Sequence, residues 1–179
     1  TAAGYMGVAC SSDGRYVYTC RGTGNIFSSN DYGVTWTQRA TSASWTDITC
    51  SSSGQYVSAC VNTGGIWYST DYGVTWTQSP SAPSSANWFA IRSTASGQYQ
   101  IASTLTSGSA GILYFSKDYG VNWTGSSLTG NLQFITISQN GLYSLAANNG
   151  GAVYRSLLAW PSVFTYGPAH IGKSINGFD

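Results

Sequence analysis

The stretch most informative about the fold is Ser69-Thr70-Asp71-Tyr72-Gly73-Val74-Thr75-Trp76, because the chain carries it three times. An earlier copy is Ser29-Asn30-Asp31-Tyr32-Gly33-Val34-Thr35-Trp36, and a later copy is Ser116-Lys117-Asp118-Tyr119-Gly120-Val121-Asn122-Trp123. The aspartates of successive copies are 40 and 47 residues apart. Repetition at such a period indicates an array of similar small structural units.

A second signature, Gly-x-Tyr, precedes each copy and also occurs a fourth time. Its four examples begin at Gly14, Gly54, Gly97 and Gly141. Units of about 40 residues are typical of four-stranded propeller blades. The sequence therefore predicts four blades, at about 4–40, 44–80, 87–126 and 131–160. The segment 161–179 is a tail that we expect to supply a closing strand or to contact a neighbouring subunit.

The fourth unit is degenerate, as end units of repeat arrays often are. Alignment of Tyr154 with Tyr68 puts Leu157 where the other units have aspartate, and the glycine and tryptophan are lost. In the second unit, Gly-containing turns separate short runs that favour β-structure. We predict strands over Asp47–Cys50, Tyr56–Val61, Ile66–Ser69 and Val74–Gln78. The fold class that follows is all-β.

The motif Ser-x-Asp-x-Gly-x-x-Trp resembles the Asp-box, or BNR repeat, of sialidases, sortilin-type receptors and several lectins. The resemblance covers roughly residues 4 to 158 and implies a β-propeller whose boxes lie at the blade periphery. It implies that the aspartate accepts backbone N–H groups, that the glycine is left-handed and that the tryptophan packs over the hairpin. The structural box residues are then Ser29, Asp31, Gly33, Trp36, Ser69, Asp71, Gly73, Trp76, Ser116, Asp118, Gly120 and Trp123.

Charge is scarce, and this limits the classes of partner. Only 7% of residues are charged, the net charge is +1, and no basic cluster occurs. Nucleic acid and anionic membranes are recognised through clustered positive charge, so neither is expected as a partner. No apolar run approaches the roughly 20 residues of a membrane span. Because the chain starts at Thr1, we expect a mature or trimmed product whose leader is gone.

Acidic side chains are too few for the enzymes of the resembling family. A sialidase site has an arginine triad, a tyrosine paired with glutamate, and an aspartate, yet this chain has no glutamate. Outside the boxes only Asp13, Asp47 and Asp179 remain, and ordinary glycosidases need two facing carboxylates. The single histidine, His170, has no cluster of potential metal ligands near it in sequence. We therefore expect no catalytic residue, no metal and no cofactor.

The four cysteines occupy repeated positions. Cys10 matches Cys50, and Cys20 matches Cys60. Without C-x-x-C spacing, disulfides in an oxidising compartment are favoured over zinc. A bond within one hairpin is disfavoured because its cysteines lie about four residues apart along the strands. Bonds between repeats, bonds to another chain and buried free thiols all remain open.

Two further features concern glycans. Asn122-Trp123-Thr124 is an N-glycosylation sequon, so Asn122 is a candidate acceptor in a secreted protein. Tyr5, Trp45 and Trp88 recur where the first strand of a unit begins, with Leu132 in the fourth. Aromatic rings on one rim could stack on sugars, and blade-to-blade packing is the alternative role.

Together these features favour a non-enzymatic extracellular module. We expect a structural or adhesive subunit of a surface assembly or filament, possibly glycosylated and self-assembling. The predicted location is secreted, extracellular, or on a cell or virion surface. Partners would be copies of itself, other extracellular proteins, or glycans. A carbohydrate-binding lectin is the alternative, and a sialidase-like glycoside hydrolase is a third hypothesis.

Overall fold

The computed structural model describes residues 4–105, 111–148, 153–157 and 167–169, and these residues form β-strands and turns without a helix. The all-β prediction is confirmed. The strands are β1 (Tyr5–Cys10), β2 (Val17–Arg21), β3 (Gly24–Ser29), β4 (Thr37–Ala43), β5 (Trp45–Cys50), β6 (Val57–Gly64), β7 (Ile66–Ser69), β8 (Thr77–Gln78), β9 (Ala86–Ser93), β10 (Gln100–Thr104), β11 (Gly111–Ser116), β12 (Thr124–Gly130), β13 (Leu132–Ile137), β14 (Tyr143–Asn148), β15 (Val153–Leu157) and β16 (Gly167–Ala169).

The strands pair antiparallel with their sequence neighbours, in groups of four. We call β1–β4 blade 1, β5–β8 blade 2, β9–β12 blade 3 and β13–β16 blade 4. Blades 2 and 3 share a continuous sheet, because the far end of β6 also pairs with β9 at Asn62–Asn87 and Gly64–Ala86. The four-residue turn predicted after Val61 is therefore shorter, since β6 continues to Gly64.

The outermost strand of blade 2 is shorter than the sequence suggests. We predicted a strand from Val74, yet β8 comprises Thr77–Gln78 alone. The physical reason lies in Asp71, whose carboxylate binds the backbone N–H groups of Val74 and Thr75 and keeps them in the turn.

Blade 4 extends beyond its predicted limit. The strand β16, within the segment 161–179, pairs with β15 through Val153–Ala169 and its neighbours. The strand pairing also shifts our alignment of this unit. Tyr154 lies opposite Ala146, as Trp67 lies opposite Ala59, so Tyr154 matches Trp67 and not Tyr68. The position of the box aspartate therefore moves from Leu157 to residue 158, outside the described residues.

The first strands of the blades, β1, β5, β9 and β13, contact one another in succession and form the inner side of an arc. Apolar side chains from adjacent blades fill the space between them. The seam between blades 1 and 2, for example, joins Tyr18, Cys20 and Ile26 to Trp45 and Ile48, all with 2% exposure or less. Among the described strands, no extensive contact links blade 4 to blade 1. The described part of the chain is thus an open arc.

Candidate functional site

The three repeated motifs form turns of the same geometry, which we call the box turns. In the second, the Asp71 carboxylate accepts the backbone N–H and the hydroxyl of Thr75 at 2.8 and 2.7 Å. It also accepts the Ser69 hydroxyl at 2.8 Å, and Ser69 Oγ in turn accepts the Gly73 N–H at 2.9 Å. The indole of Trp76 donates to the Gly73 carbonyl at 2.9 Å. These bonds are structural, because every oxygen of the carboxylate is directed at its own turn.

The other two turns repeat this pattern. Asp31 accepts from Thr35 and Ser29, and Asp118 accepts from Asn122 and Ser116. Trp36 and Trp123 donate to the Gly33 and Gly120 carbonyls, both at 2.9 Å. The three box glycines have φ of 73° to 85°, as the sequence predicts. The preceding tyrosines, Tyr32, Tyr72 and Tyr119, are also left-handed, at 61° to 63°, which sequence reasoning missed.

Hydrogen bonding makes the box aspartates strong acids. The Thr35 hydroxyl, the Thr35 N–H and Ser29 lower the pKa of Asp31 to about 2. Burial raises the pKa of Asp71, but the bonds from Thr75 and Ser69 outweigh it, so this pKa lies below its ordinary value. A carboxyl with a lowered pKa is a poor general acid at neutral pH.

The pKa of Asp31 leads to a prediction about acid stability. Since the folded pKa is below the ordinary 3.8, ionised Asp31 stabilises the fold above pH 3.8, and this contribution is lost as pH falls towards about 2. We expect the wild-type Tm to fall through this window. Asp31→Asn should have a lower Tm at neutral pH and a shallower fall. Thermal melts monitored by circular dichroism at each pH measure this, and parallel curves for the two proteins would contradict it.

Three kinds of contact recur where one blade meets the next. Backbone bonds run from Ser12 N to Ser52 O, from Ser52 N to Ala95 O, and from Ala95 N to Gln139 O, at 2.8, 2.8 and 3.0 Å. The Gly-x-Tyr signature supplies the second contact. A Cβ on Gly54 would lie 2.7 Å from Tyr16, and one on Gly97 would lie 2.9 Å from Tyr56. Each glycine thus accepts a tyrosine of the preceding blade, a pairing that the sequence signature could have revealed.

The third contact is between tyrosines. Tyr16 of blade 1 lies against Tyr72 of blade 2 with ring centroids 4.6 Å apart. Tyr56 of blade 2 stacks on Tyr119 of blade 3 at 4.1 Å. The tyrosine of each Gly-x-Tyr signature therefore contacts the box tyrosine of the following blade.

The aromatic residues proposed for glycan stacking differ sharply in exposure. Trp45 and Trp88 are each 1% exposed, between blades, whereas Tyr5 is 67% exposed. This corrects the expectation for Trp45 and Trp88, since a ring covered by the preceding blade has no face to offer a sugar. Leu132, at the same position of blade 4, is also buried. Of these positions only Tyr5 is available to a ligand.

Tyr5 lines the largest apolar surface feature that we identify, a groove of about 510 Å³ on the outer flank of blade 1. The groove is lined by Tyr5, Val8, Thr19, Phe27 and Trp36. We call this set the leading face. Its residues come from β1, β2 and β3 and from the first box turn, so local repeat geometry positions every one of them.

The remaining described acidic residues are also engaged. Asp13 accepts the Ser11 hydroxyl and the Arg15 N–H, which lower its pKa. Asp47 accepts the Ile91 N–H at 3.0 Å and forms an ion pair with Arg92, which ties β5 to β9. Asp179 and His170 lie outside the described residues. Within the described ranges, no three His, Cys, Asp or Glu side chains come together as a metal site would require.

All four cysteines are free thiols in the structure, so the expected disulfides are not present. Strand pairing places Cys10 opposite Val17 and Cys20 opposite Gly7, which separates the two cysteines of that hairpin. Burial raises the pKa of Cys20 and of Cys50 to about 12 and also raises that of Cys60. Cys10 alone is exposed. Three of the thiols are therefore protonated and poorly nucleophilic at neutral pH.

This difference predicts the reactivity of the thiols. In dilute folded protein, we expect a thiol reagent to modify one cysteine quickly, and the other three only after unfolding. Mass spectrometry of the alkylated protein before and after denaturant measures both groups. Cys10→Ser is the control and should abolish the fast reaction. A native protein with no free thiol, or with fast reaction at a buried cysteine, would contradict this assignment.

Asn122 has a structural role besides its position in the sequon. Its side-chain amide donates to Asp118 at 2.8 Å, replacing the hydroxyl of Thr35 and Thr75 in the other box turns. The residue is exposed, so glycosylation of Asn122 stays a prediction.

No protein-family model matches the sequence, and no curated protein matches it. Solved structures do resemble the chain. It superposes on YCF48 bound to D1 peptide with a TM-score of 0.65 and 19% identity, covering 94% of this chain and 55% of that one. For the Cps50 (Swd1) β-propeller domain of Myceliophteria thermophila the values are 0.68, 12%, 93% and 58%. The fold is a β-propeller.

A GH74 enzyme from Niastella koreensis also resembles this propeller, with a TM-score of 0.65 and 21% identity over 84% of this chain and 22% of that one. At such identities the likeness concerns the fold alone. The chain spans little more than half of the first propeller and less of the enzyme. Among the residues that the structure describes, no helix could span a membrane.

Proposed function

We propose that this chain is a non-enzymatic structural or adhesive module of the Asp-box propeller type, working outside the cell or on a cell or virion surface. One observation carries the proposal, the engagement of the carboxylates. The chain has six acidic side chains and no glutamate. Asp31, Asp71 and Asp118 close box turns, and Asp47 is paired with Arg92. A hydrolase needs a facing pair of carboxylates, and the described ones are directed at their own turns and strands.

Surface chemistry supports the structural role. With 7% charged residues, repulsion between copies is weak, so close packing of subunits is not opposed. Exposed apolar side chains at both ends of the arc, including Val8 and Phe134, offer area for protein contacts. The proposed partners are therefore copies of the chain or other extracellular proteins.

The test is intact mass spectrometry of native material, before and after reduction and deglycosylation, together with negative-stain electron microscopy. A mass above 18.9 kDa that deglycosylation removes, with ordered assemblies in the images, would support a glycosylated structural subunit. Turnover of a fluorogenic sialoside or xyloglucan oligosaccharide by pure protein would overturn the non-enzymatic assignment.

A lectin is the second candidate, and the observation favouring it is the groove on blade 1. The groove contains the exposed rings of Tyr5 and Trp36, at 67% and 44% exposure. Aromatic faces in a concave site are suited to sugars. On a glycan array, this function predicts saturable binding that Tyr5→Ala and Trp36→Ala abolish. Phe134→Ala, which removes an equally exposed ring at the other end of the arc, is the matched control and should leave binding unchanged.

A further inference from the structure

The leading face has a buried counterpart in each following blade. In blade 2 the same repeat positions hold Trp45, Ile48, Ala59, Trp67 and Trp76, which pack against blade 1. In blade 3 they hold Trp88, Ile91, Ala102, Tyr114 and Trp123. Exposure marks the difference in environment, since Val8 is 71% exposed and the matching Ile48 is 2% exposed. The leading face is therefore an inter-blade surface that no described residue covers.

The other end of the arc carries the opposite half of such a seam. Blade 3 packs on blade 4 through Ala90, Tyr99, Ile101 and Leu113. Strand pairing gives their equivalents in blade 4 as Phe134, Tyr143, Leu145 and Val153, which we call the trailing face. Phe134, Tyr143 and Leu145 are 68%, 40% and 37% exposed. An apolar inter-blade surface thus lies unpaired at each end.

The polar and turn contacts of the seams are also halved at the ends. The series of backbone bonds from Ser12 to Gln139 would continue from the Gln139 N–H to the Ser12 carbonyl of another blade 1. The nearest atom of another residue to a Cβ on Gly14 would be Tyr32 Cδ1, at 4.0 Å, so the space that a tyrosine fills above Gly54 is open here. Tyr143 ends the tyrosine series, and the box tyrosine of blade 1, Tyr32, is 68% exposed.

We propose that a second copy of this chain completes these seams, so that the trailing face of each copy covers the leading face of the other and two arcs close one ring. The share of a ring supports a second copy as the occupant. The chain spans 55% and 58% of two propeller chains, so the missing part is nearly as large as the chain itself. Two equivalent seams related by a two-fold axis satisfy both ends of both copies. The inference is independent of whether the module is enzymatic or extracellular.

The first test is the mass of the 179-residue chain in solution, by light scattering on a sizing column over a range of concentrations. A particle of twice 18.9 kDa that dissociates on dilution supports the ring. A mass of 18.9 kDa at every concentration overturns it. A ladder of larger open polymers also overturns it, because the seams would then not close.

Point variants test which faces meet. Val8→Asp and Leu145→Asp each place a charge in the proposed seam, and we expect each to weaken dimerisation at least about 100-fold. Val34→Asp is the matched control, because Val34 is 79% exposed on the first box turn and lies outside both faces. Circular dichroism and tryptophan fluorescence establish that each variant is folded. Unchanged dimerisation of folded Val8→Asp or Leu145→Asp overturns the pairing.

Mixing the two variants separates this arrangement from a dimer joined through identical faces. A mixture of Val8→Asp and Leu145→Asp chains contains one intact leading face and one intact trailing face, so a heterodimer with one sound seam should form. Pairing of leading face with leading face would leave Leu145→Asp fully dimeric, and no heterodimer would gain over it. That result would overturn the head-to-tail ring.

Cys10 gives an independent readout because it lies on β1 on the same side as Val8. Its alkylation rate should fall as wild-type concentration rises and should stay constant in Leu145→Asp. A concentration-independent rate in the wild type overturns the proposal. A monomer whose groove binds sugar likewise overturns the ring while leaving the non-enzymatic assignment intact, so the two failures are distinguishable.

Discussion

Trp45→Ala is expected to lower the free energy of unfolding by about 3–5 kcal/mol, the usual cost of truncating a large buried aromatic residue. Trp45 is 1% exposed and packs edge-on against Trp67 and tilted against Trp76, with centroids 6.4 and 6.3 Å away. Its removal leaves a cavity between blades 1 and 2 that their sheets cannot collapse to fill. Urea denaturation followed by circular dichroism measures the change.

Tyr5→Ala is the matched control for Trp45→Ala, because Tyr5 occupies the same repeat position in blade 1. Its ring is 67% exposed, so we expect a change within about 0.5 kcal/mol. Both substitutions are made on the Leu145→Asp background, which removes any contribution from association between copies. Equal costs at the two positions would contradict the assignment of Trp45 to a seam and of Tyr5 to an uncovered flank.

Gly54→Ala is expected to cost about 2–5 kcal/mol through two separate effects. Gly54 has φ of 78°, and a side chain in the left-handed region costs roughly 1–2 kcal/mol. The new Cβ would also lie 2.7 Å from Tyr16 Cβ and 2.9 Å from its ring. Overpacking of that kind adds about 1–3 kcal/mol, since a tyrosine of the preceding blade must move. Urea denaturation of the variant gives the total.

Gly14→Ala isolates the first of these effects. Gly14 has nearly the same backbone, with φ of 74°, but its Cβ would meet no atom closer than 4.0 Å. We expect it to cost only about 1–2 kcal/mol in the monomeric Leu145→Asp background. Indistinguishable costs for Gly14→Ala and Gly54→Ala would show that the tyrosine yields freely and that the seam is loosely packed.

The local features of the fold could be predicted from the sequence. The box turn is complete within eight residues, so Asp71, Gly73 and Trp76 state its geometry by themselves. The regular spacing of the Gly-x-Tyr signature likewise located the hairpins and indicated all-β structure. These inferences held because no contact distant in sequence is needed to form either feature.

Features that depend on an adjacent blade could not be predicted in this way. Tyr5 and Trp45 are equivalent in the repeat, and only the presence of a preceding blade buries one and exposes the other. The second role of Gly54, as the seat of Tyr16, requires the blades to be in register. The groove that forms the candidate site was missed for the same reason, since an uncovered flank is defined by what does not lie beside it.

The backbone bonds from Ser12 through Ser52 and Ala95 to Gln139 use no side-chain atom, so blade-to-blade alignment is indifferent to residue type at these positions. Serine, alanine and glutamine are indeed all found there. Such an array is robust to sequence drift, because a unit can lose its recognisable motif and still be placed by its main chain. The degenerate fourth unit, aligned through Gln139, illustrates how duplicated units of this kind can diverge beyond recognition by sequence while their geometry persists.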